Sequence, residues 1–215
     1  MRLGLLGGTF NPVHKGHMRA AKAVKRTFKL DKIYFIPAYI PPHKDSQEIA
    51  AAEHRLKMVE LAVEAFPDFI PSSLEIEAGG KSYSINTLGK FQQMFPGSKI
   101  HFILGIDAFL EIDTWKDYES LLEQCDFIVI SRPGYDLNAA KVVLNGRLTK
   151  KIIDAAGYLS LSQTKKKTFN IILFSFDGLD VSSTEIRERM KKGRSVKGLV
   201  PKKVKDYIKK YNLYQ

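Results

Sequence analysis

Short apolar runs alternate with amphipathic stretches along most of the chain. A run of four to eight apolar residues is typical of a buried strand, whereas apolar residues three and four positions apart indicate one face of a helix. The predicted strands are Leu3–Leu6, Lys32–Ile36, Ser73–Glu77, Ile100–Leu104, Phe127–Ile130 and Thr168–Phe174. The predicted helices are His17–Phe28, Ile49–Phe66, Ile85–Phe95, Tyr118–Gln124, one that begins at Ser183-Thr184 and one from about Pro201 to Tyr211.

This alternation predicts an α/β fold, a doubly wound parallel sheet with helices on both faces and a helical C-terminal end. We find no internal repeat and no convincing domain boundary, so residues 1–215 are expected to form a single domain. Sheets of this kind bind ligands beyond the carboxyl ends of their strands. Functional residues are therefore expected in the loops that directly follow strands.

The composition narrows the class of protein. A chain of 215 residues with 44% hydrophobic and 27% charged residues can bury a sizeable core. The single cysteine, Cys125, has no partner for an intramolecular disulfide, which fits a reducing compartment. The apolar runs are too short to cross a bilayer, and Leu3–Leu6 is too short for a signal peptide. We therefore expect a cytoplasmic protein without membrane partners.

Charge is concentrated at the C-terminal end. The chain holds 34 Lys and Arg against 23 Asp and Glu, a formal net charge of +11. Residues 162–215 alone hold 14 basic and 5 acidic side chains, and 14 − 5 = +9. Such a segment can bind nucleic acid, membrane phosphates or a small polyanionic ligand, or it can be a solvated surface. Composition does not choose among these.

The segment Gly7–His17, directly after the first strand, is the first candidate site. Adjacent glycines at 7 and 8 let the backbone turn and approach a ligand. His14 and His17 precede a helix, whose amino-terminal amides attract anions, so two imidazoles there can bind phosphate. The alternatives are incidental surface histidines or, from the His-x-x-His spacing, metal ligands, although no further ligand cluster supports a metal.

A second candidate lies after the last strand, in the segment Val181–Arg187. Ser183 or Thr184 is expected to cap the helix that begins here, and Arg187 lies one turn further along the same face. A hydroxyl, backbone amides and a guanidinium can therefore meet at one phosphate group. The same residues would also suit an ordinary capped surface helix.

Both segments resemble motifs of the nucleotidylyltransferase superfamily. Gly7–His17 resembles its (H/T)-x-G-H motif, and Ser183–Arg187 resembles its S-S/T-x-x-R motif. The resemblance implies a Rossmann-like sheet and assigns catalytic roles to His14, His17 and Arg187, which would bind the ATP phosphates. Nucleotidyl transfer depends mainly on positioning and charge neutralisation, which these groups supply.

Segments between the motifs resemble the bacterial nicotinate-nucleotide adenylyltransferases. They are Ile36–Ala38 with Pro41–Lys44, Ser82–Leu88, Gly105–Asp107 with Thr114-Trp115, and Ser131–Tyr135. This resemblance implies transfer of the adenylyl group of ATP to nicotinate mononucleotide, which gives nicotinate adenine dinucleotide and pyrophosphate in NAD biosynthesis. It also implies Mg²⁺ held mainly by the ATP phosphates, with no protein side chain as a dedicated metal ligand and no nucleic-acid partner. A homo-oligomer stays open.

The resemblance also implies which residues bind each substrate. The residues for ATP are Gly7, Gly8, Thr9, Phe10, His14, His17, Gly105, Asp107, Ser183, Thr184 and Arg187. The residues for nicotinate mononucleotide are Lys44, Ser84, Ile85, Trp115, Lys116 and Arg132. Asp107 would accept hydrogen bonds from the ATP ribose, and Trp115 would stack on the pyridine ring. A helix cap for Asp107 and a core position for Trp115 are the structural alternatives.

Two other functions stay open from the sequence. The acceptor could instead be nicotinamide mononucleotide or phosphopantetheine, although the Ser82–Leu88 and Trp115 segments favour a pyridine nucleotide. In a different class, the chain could be a basic nucleic-acid-binding module. Its support is the basic final quarter, but we recognise no nucleic-acid-binding motif.

Overall fold

A computed structural model describes residues 1–42, 49–144, 146–157 and 169–215 of the protein. The strands are β1 (Arg2–Gly8), β2 (Lys32–Pro37), β3 (Phe69–Pro71), β4 (Lys99–Gly105), β5 (Asp126–Ile130), β6 (Ile152–Asp154) and β7 (Ile171–Phe174). The α-helices are α1 (Lys15–Phe28), α2 (Ala52–Val63), α3 (Leu74–Ala78), α4 (Ser84–Met94), α5 (Ile106–Phe109), α6 (Tyr118–Leu121), α7 (Ala140–Val143), α8 (Ser183–Lys191) and α9 (Lys202–Lys210). Short 3₁₀ helices span Ile112–Thr114, Leu137–Ala139 and Thr149–Lys151.

The seven strands form one sheet in the order β3-β2-β1-β4-β5-β7-β6, and every neighbouring pair is parallel. The chain winds outward from β1 through β2 to β3, and then returns to place β4 on the other side of β1. The winding direction therefore reverses between β1 and β4. In sheets of this kind the crevice for a ligand opens at that point, beyond the carboxyl ends of the strands.

The sheet is buried on both faces, as the predicted doubly wound fold requires. One apolar cluster contains Leu6 from β1 and packs against α1, α2 and α9. The other contains Leu3 and Leu5 from the same strand and packs against α4, α5 and α6. Successive residues of a strand point to opposite faces, so one apolar strand supplies both clusters.

Helix α1 shows how local sequence builds the frame of the site. Its apolar residues recur at helical spacing and are buried, while no acidic residue lies in its first turn. The helix ends where Lys29 adopts a left-handed conformation with φ of 50°, and the amide of Leu30 then donates to the carbonyl of Lys25 at 3.0 Å. This ending satisfies a terminal carbonyl and returns the chain to the sheet at β2.

The strand predicted at Ser73–Glu77 is wrong. The strand lies earlier, at Phe69–Pro71, and Leu74–Ala78 form helix α3. Leu74 and Ile76 alternate with glutamates, which imitates the period of a strand over five residues. A single helical turn can carry the same pattern, and the side chain of Glu75 turns towards the interior rather than to solvent.

The remaining differences are short elements that the sequence did not predict and shifts at the ends of predicted ones. Strand β6 was not predicted, because its three residues give too short a pattern to recognise. The predicted strand Thr168–Phe174 begins only at Ile171, and Thr168 lies outside the described residues. The helix predicted to Gln124 ends at Leu121. Among the described helices, none combines the length and the apolar character needed to span a membrane.

Candidate active site

A cavity of about 840 Å³ opens where the winding of the sheet reverses. Gly7 and Gly8 from the end of β1 and Leu104 and Gly105 from the end of β4 form part of its wall. Its volume lies in the upper part of the usual range for small-molecule sites, roughly 300–1,000 Å³. The cavity is therefore large enough for a ligand of nucleotide size.

Two histidines at the start of α1 form one unit in this cavity. His14 is the residue before the helix, and its backbone N–H donates to Nδ1 of His17 at 3.2 Å. The two imidazole rings stack with their centroids 3.7 Å apart. Because Nδ1 of a neutral His17 accepts this bond, the ring proton resides on Nε2. Both rings line the cavity at the positive end of the helix.

His14 is neutral at physiological pH. The residue is 6% exposed, and its burial lowers the pKa of the imidazole to about 3, helped by the positive charge of Arg132. Loss of hydration disfavours the charged ring. His14 therefore offers a ligand a hydrogen bond from a neutral imidazole, and Arg132 carries the positive charge near it.

Aromatic rings of Phe102 and Phe10 pack against the glycine pair at the end of β1. A Cβ at Gly7 would lie 3.8 Å from the Phe102 ring, which is ordinary contact, whereas one at Gly8 would lie 3.3 Å from the ring of Phe10. Phe10 has a φ of 48° and is 2% exposed, and its ring meets His17 edge to face at 5.0 Å. Phe10 thus supports the loop and the second histidine, and Thr9 lines the cavity beside it.

The second predicted motif lies against the first. The hydroxyl of Ser183 donates to the carbonyl of Pro12 at 2.9 Å, although the two residues are 171 positions apart. Nη1 of Arg187 donates to the carbonyl of Asn11 at 3.1 Å. Thr184 also lines the cavity, and Arg187 Nη2 lies 3.5 Å from its hydroxyl. The fold therefore joins both motifs at one edge of the cavity.

The predicted helix cap is wrong by one residue. Ser182, rather than Ser183 or Thr184, caps α8, because its hydroxyl accepts the amide of Glu185 at 3.0 Å. The hydroxyl of Ser183 is instead used for the bond to the opposite loop. Sequence alone could not separate these roles, since adjacent serines are both good caps.

Asp107 and Arg132 form an ion pair across the cavity wall. Asp107 lies in the first turn of α5, directly beyond β4, and Arg132 follows β5. Gly105 lies next to this pair, because a Cβ there would be 2.3 Å from Oδ1 of Asp107. The sequence predicted separate ligands for the two charges, whereas in the structure they pair with each other.

The cavity wall also contains most of the residues predicted to bind the mononucleotide. Ser84, Trp115 and Lys116 line it, and the Trp115 ring meets Phe102 edge to face at 6.4 Å. Ile85 does not line the cavity, and its side chain packs against the apolar cluster around α4. Lys44 lies outside the described residues.

Comparison with known proteins places this geometry in a family. Residues 5–189 match the cytidylyltransferase-like family. A protein of Desulfatibacillum aliphaticivorans, described as a probable nicotinate-nucleotide adenylyltransferase, is 40% identical over 220 residues, which cover 100% of both chains. A protein of Thermoanaerobacter sp. (strain X514) with the same description is 39% identical and is covered to 95%, with 100% of this chain aligned. The chain belongs to the nicotinate-nucleotide adenylyltransferase family.

The fold agrees with a solved structure of the nicotinate-nucleotide adenylyltransferase type. The Plasmodium falciparum nicotinic acid mononucleotide adenylyltransferase, solved in complex with NaAD, superposes with a TM-score of 0.74 over 99% of this chain and 97% of that one. The sequences are 19% identical, so this likeness shows the fold. The Rossmann-like sheet and the family predicted from the motifs are confirmed.

In this member of the nicotinate-nucleotide adenylyltransferase family, two charged residues at the cavity were not predicted from the sequence. Arg55 is 1% exposed and bonded to backbone carbonyls beside the cavity, and Glu75 lines the cavity itself. One signal could have found Arg55, since it occupies a position of α2 where the helical spacing of Ala52, Met58 and Val59 requires a buried residue. Glu75 was not predicted as a site residue because its segment was assigned to a strand.

Cys125 is excluded as a nucleophile in this nicotinate-nucleotide adenylyltransferase fold. Its side chain is 1% exposed within the apolar cluster around α4. Burial raises the pKa of the thiol far above its ordinary value, so the reactive thiolate does not form.

Proposed function

We propose that this protein transfers the adenylyl group of ATP to nicotinate mononucleotide, with nicotinate adenine dinucleotide and pyrophosphate as products. One observation carries the proposal beyond family membership. The His14–His17 pair and the Ser183–Arg187 segment, distant in sequence, meet at one edge of a nucleotide-sized cavity. This combination of neutral donors, a guanidinium and a helix amino terminus suits a triphosphate.

The reaction is a direct in-line displacement at the α-phosphorus of ATP. A 5′-phosphate oxygen of the mononucleotide forms the new P–O bond, and the bond to the β-phosphate oxygen breaks as pyrophosphate leaves. No side chain needs to take or give a proton, because the attacking phosphate is already ionised. The imidazole N–H groups of His14 and His17 and the guanidinium of Arg187 stabilise the negative charge that develops on the phosphate oxygens.

The ATP end is proposed to be formed by the loops after β1 and β4. Backbone groups of Gly7–Phe10 approach the nucleotide, and Asp107 accepts hydrogen bonds from the ribose hydroxyls. Ser183 and Thr184 stand beside the triphosphate with Arg187. Asp107 must exchange part of its pairing with Arg132 for the ribose, which leaves Arg132 available to the phosphate of the incoming mononucleotide.

The acceptor end is proposed to recognise the nicotinate carboxylate through backbone N–H groups. The amides of Ser84 and Ile85 belong to the first turn of α4, where the helix dipole favours a negative charge. The backbone at Trp115 and Lys116 adds further donors, and the indole ring of Trp115 stacks on the pyridine. A neutral carboxamide gains less from a helix amino terminus, which favours nicotinate over nicotinamide mononucleotide.

Mg²⁺ is proposed as the cofactor, held mainly by the ATP phosphates and water. Within the described residues, no three His, Cys, Asp or Glu side chains come together as a metal site. Mg²⁺ is commonly bound through substrate phosphates with few protein ligands, so a cavity of this kind is compatible with it. When bound, the ion would neutralise charge on the departing pyrophosphate.

Product identification tests the function. The protein is incubated with ATP, Mg²⁺ and either nicotinate or nicotinamide mononucleotide, and the dinucleotide and pyrophosphate are quantified. We expect equal amounts of nicotinate adenine dinucleotide and pyrophosphate, with a higher kcat/KM for the nicotinate substrate. A clear preference for the amide would overturn the acceptor assignment. Salt-sensitive nucleic-acid binding without pyrophosphate release would support the nucleic-acid-binding alternative.

A matched pair of histidine variants tests the site. His17→Ala is expected to abolish turnover and to leave the circular dichroism spectrum unchanged, because it removes an N–H donor at the cavity wall. His54→Ala is the control, since His54 Nδ1 is hydrogen-bonded to Tyr207 at the α2–α9 contact, at 2.8 Å, and does not line the cavity. Near-normal kcat/KM in His17→Ala would contradict the assignment.

A further inference from the structure

A buried arginine joins three segments beside the cavity. Arg55 in α2 is 1% exposed, and Nε donates to the carbonyl of Ala50 at 2.8 Å. Nη1 donates to the carbonyls of Thr9, at 2.9 Å, and Ala38, at 2.5 Å, and Nη2 donates to that of Tyr39 at 2.9 Å. These carbonyls belong to the loop after β1, the loop after β2 and the segment that leads into α2. Burial of a guanidinium is costly unless its donors are satisfied, and this arrangement satisfies most of them.

The carbonyls that Arg55 binds lie in segments that form the cavity wall. Thr9 belongs to the loop that leads from the glycine pair to His14, and both Thr9 and Ala38 line the cavity. The rigid planar fork of Arg55 therefore fixes where the phosphate-binding loop lies relative to the end of β2. A lysine, with donors at one point, cannot reach the same set of carbonyls.

A second polar group continues this network to the acceptor end. The amide of Tyr39, whose carbonyl is held by Arg55, donates to the hydroxyl of Ser82 at 2.8 Å. Glu75 lines the cavity and accepts the hydroxyl of Thr87, in the first turns of α4, at 2.5 Å. Burial raises the pKa of Glu75, while its bonds from Thr87 and Ser82 and the positive charge of Arg55 act against that rise. Hydrogen bonds thus run from the β1 loop to the start of α4.

We infer that Arg55 and Glu75 are positioning residues, which fix the loop after β1 and the amino terminus of α4 relative to each other. Arg55 places the β1 loop and, through Tyr39 and Ser82, also the acceptor end. Glu75 places the amino terminus of α4 through Thr87. The inference rests on the proposed function, because it assigns the β1 loop to ATP and the start of α4 to nicotinate mononucleotide. Arg55 therefore positions the binding sites of both substrates, whereas Glu75 positions the binding site of the mononucleotide alone.

Steady-state kinetics of two conservative variants separate these roles. Arg55→Lys is expected to raise the KM of both ATP and nicotinate mononucleotide by about tenfold, because a misplaced binding loop loses about one hydrogen bond to each substrate. Glu75→Gln is expected to raise the KM of the mononucleotide by about tenfold, for the same reason, and to leave that of ATP within about twofold. A loss of folded protein alone would lower the apparent kcat of both variants without changing either KM.

The matched controls are Arg26→Lys and Glu77→Gln. Arg26 is exposed on α1, and Glu77 is exposed on the same short helix as Glu75, where it accepts the Ser73 hydroxyl. Both controls are expected to keep the wild-type KM values. Thermal melting of every variant identifies any that does not fold, and Glu75→Gln then tests the inference without Arg55→Lys.

The outcomes distinguish failure of the inference from failure of the proposed function. Equal changes in both KM values for Glu75→Gln, or unchanged KM values for the folded variants, would overturn the inference. Failure of the wild-type protein to form nicotinate adenine dinucleotide would instead overturn the proposed function. The expected asymmetry between the two variants supports both.

Discussion

The absence of a side chain at Gly105 allows Asp107 to take its observed position. A Cβ at residue 105 would lie 2.3 Å from Oδ1 of Asp107, and such contacts are essentially never shorter than 3.0 Å. The carboxylate must therefore move in Gly105→Ala, and as the end of a flexible side chain it can do so at little cost. The backbone of Gly105 is extended, with φ of −73° and ψ of 155°, so alanine adds no strain of its own.

This displacement has a predictable kinetic size. It disturbs the ion pair of Asp107 with Arg132 and the proposed hydrogen bonds of Asp107 to the ribose. A hydrogen bond to a charged group contributes roughly 1.5–3 kcal/mol. Because the carboxylate is the end of a flexible side chain and can move at little cost, we expect part of one such bond to be lost, a decrease of about three- to tenfold in kcat/KM for ATP.

A double-mutant cycle tests whether the effect acts through the carboxylate. Gly105→Ala, Asp107→Ala and the double variant are compared for kcat/KM of ATP. We expect the double variant to resemble Asp107→Ala, because the alanine has no carboxylate left to displace. Gly89→Ala in α4 is the control, since a Cβ there meets nothing within 4 Å. Additive effects in the double variant, or wild-type kinetics in Gly105→Ala, would refute this reasoning.

Three further predictions concern His14, Trp115 and Cys125. The pKa of His14 falls from 6.5 to about 3 on folding, so below pH 6.5 the unfolded chain binds the extra proton and the free energy of unfolding decreases as the pH is lowered towards 3. Urea unfolding across that window should show a shallower pH dependence in His14→Asn, and an unchanged dependence would contradict the shift. Nicotinate mononucleotide should quench the emission of Trp115, the single tryptophan, and a titration without any spectral change would argue against stacking. Cys125→Ala should keep the wild-type kcat/KM and lose some stability, because the thiol is buried in the core, and lost turnover would reopen a covalent route.

The fold was largely predictable because its strands and helices have strong periodicity. Strands such as β1 and β4 are short apolar runs, and helix α1 carries its apolar residues at helical spacing. The segment Ser73–Glu77 was assigned wrongly, because five alternating residues fit either a strand or one helical turn. Strand β6 depends on its pairing with β7, which no local pattern reveals.

The site was predictable only where short motifs mark it. His14, His17 and Arg187 lie in such motifs, but the contact of Arg187 with Asn11 spans 176 positions and exists only in the folded chain. Arg55 was missed because a charged residue in a helix is normally solvated. The pairing of Asp107 with Arg132 also depends on the tertiary arrangement of two loops.

The charge excess proved a weaker guide than the motifs. Of the basic residues in the described part of the final quarter, Arg187 is the one that lines the cavity. In α9, Lys202, Lys203, Lys209 and Lys210 are exposed, and Lys203 pairs with Glu64 at the surface. The net charge of this segment therefore says little about the proposed reaction.

The central claim is that the adenylyl group passes directly from ATP to the mononucleotide in this cavity. The most direct test uses ATP made chiral at the α-phosphorus by a sulfur substitution, with the configuration of the dinucleotide product determined by ³¹P NMR. A single in-line displacement predicts inversion at phosphorus. Retention of configuration would require a covalent enzyme intermediate and would contradict the account.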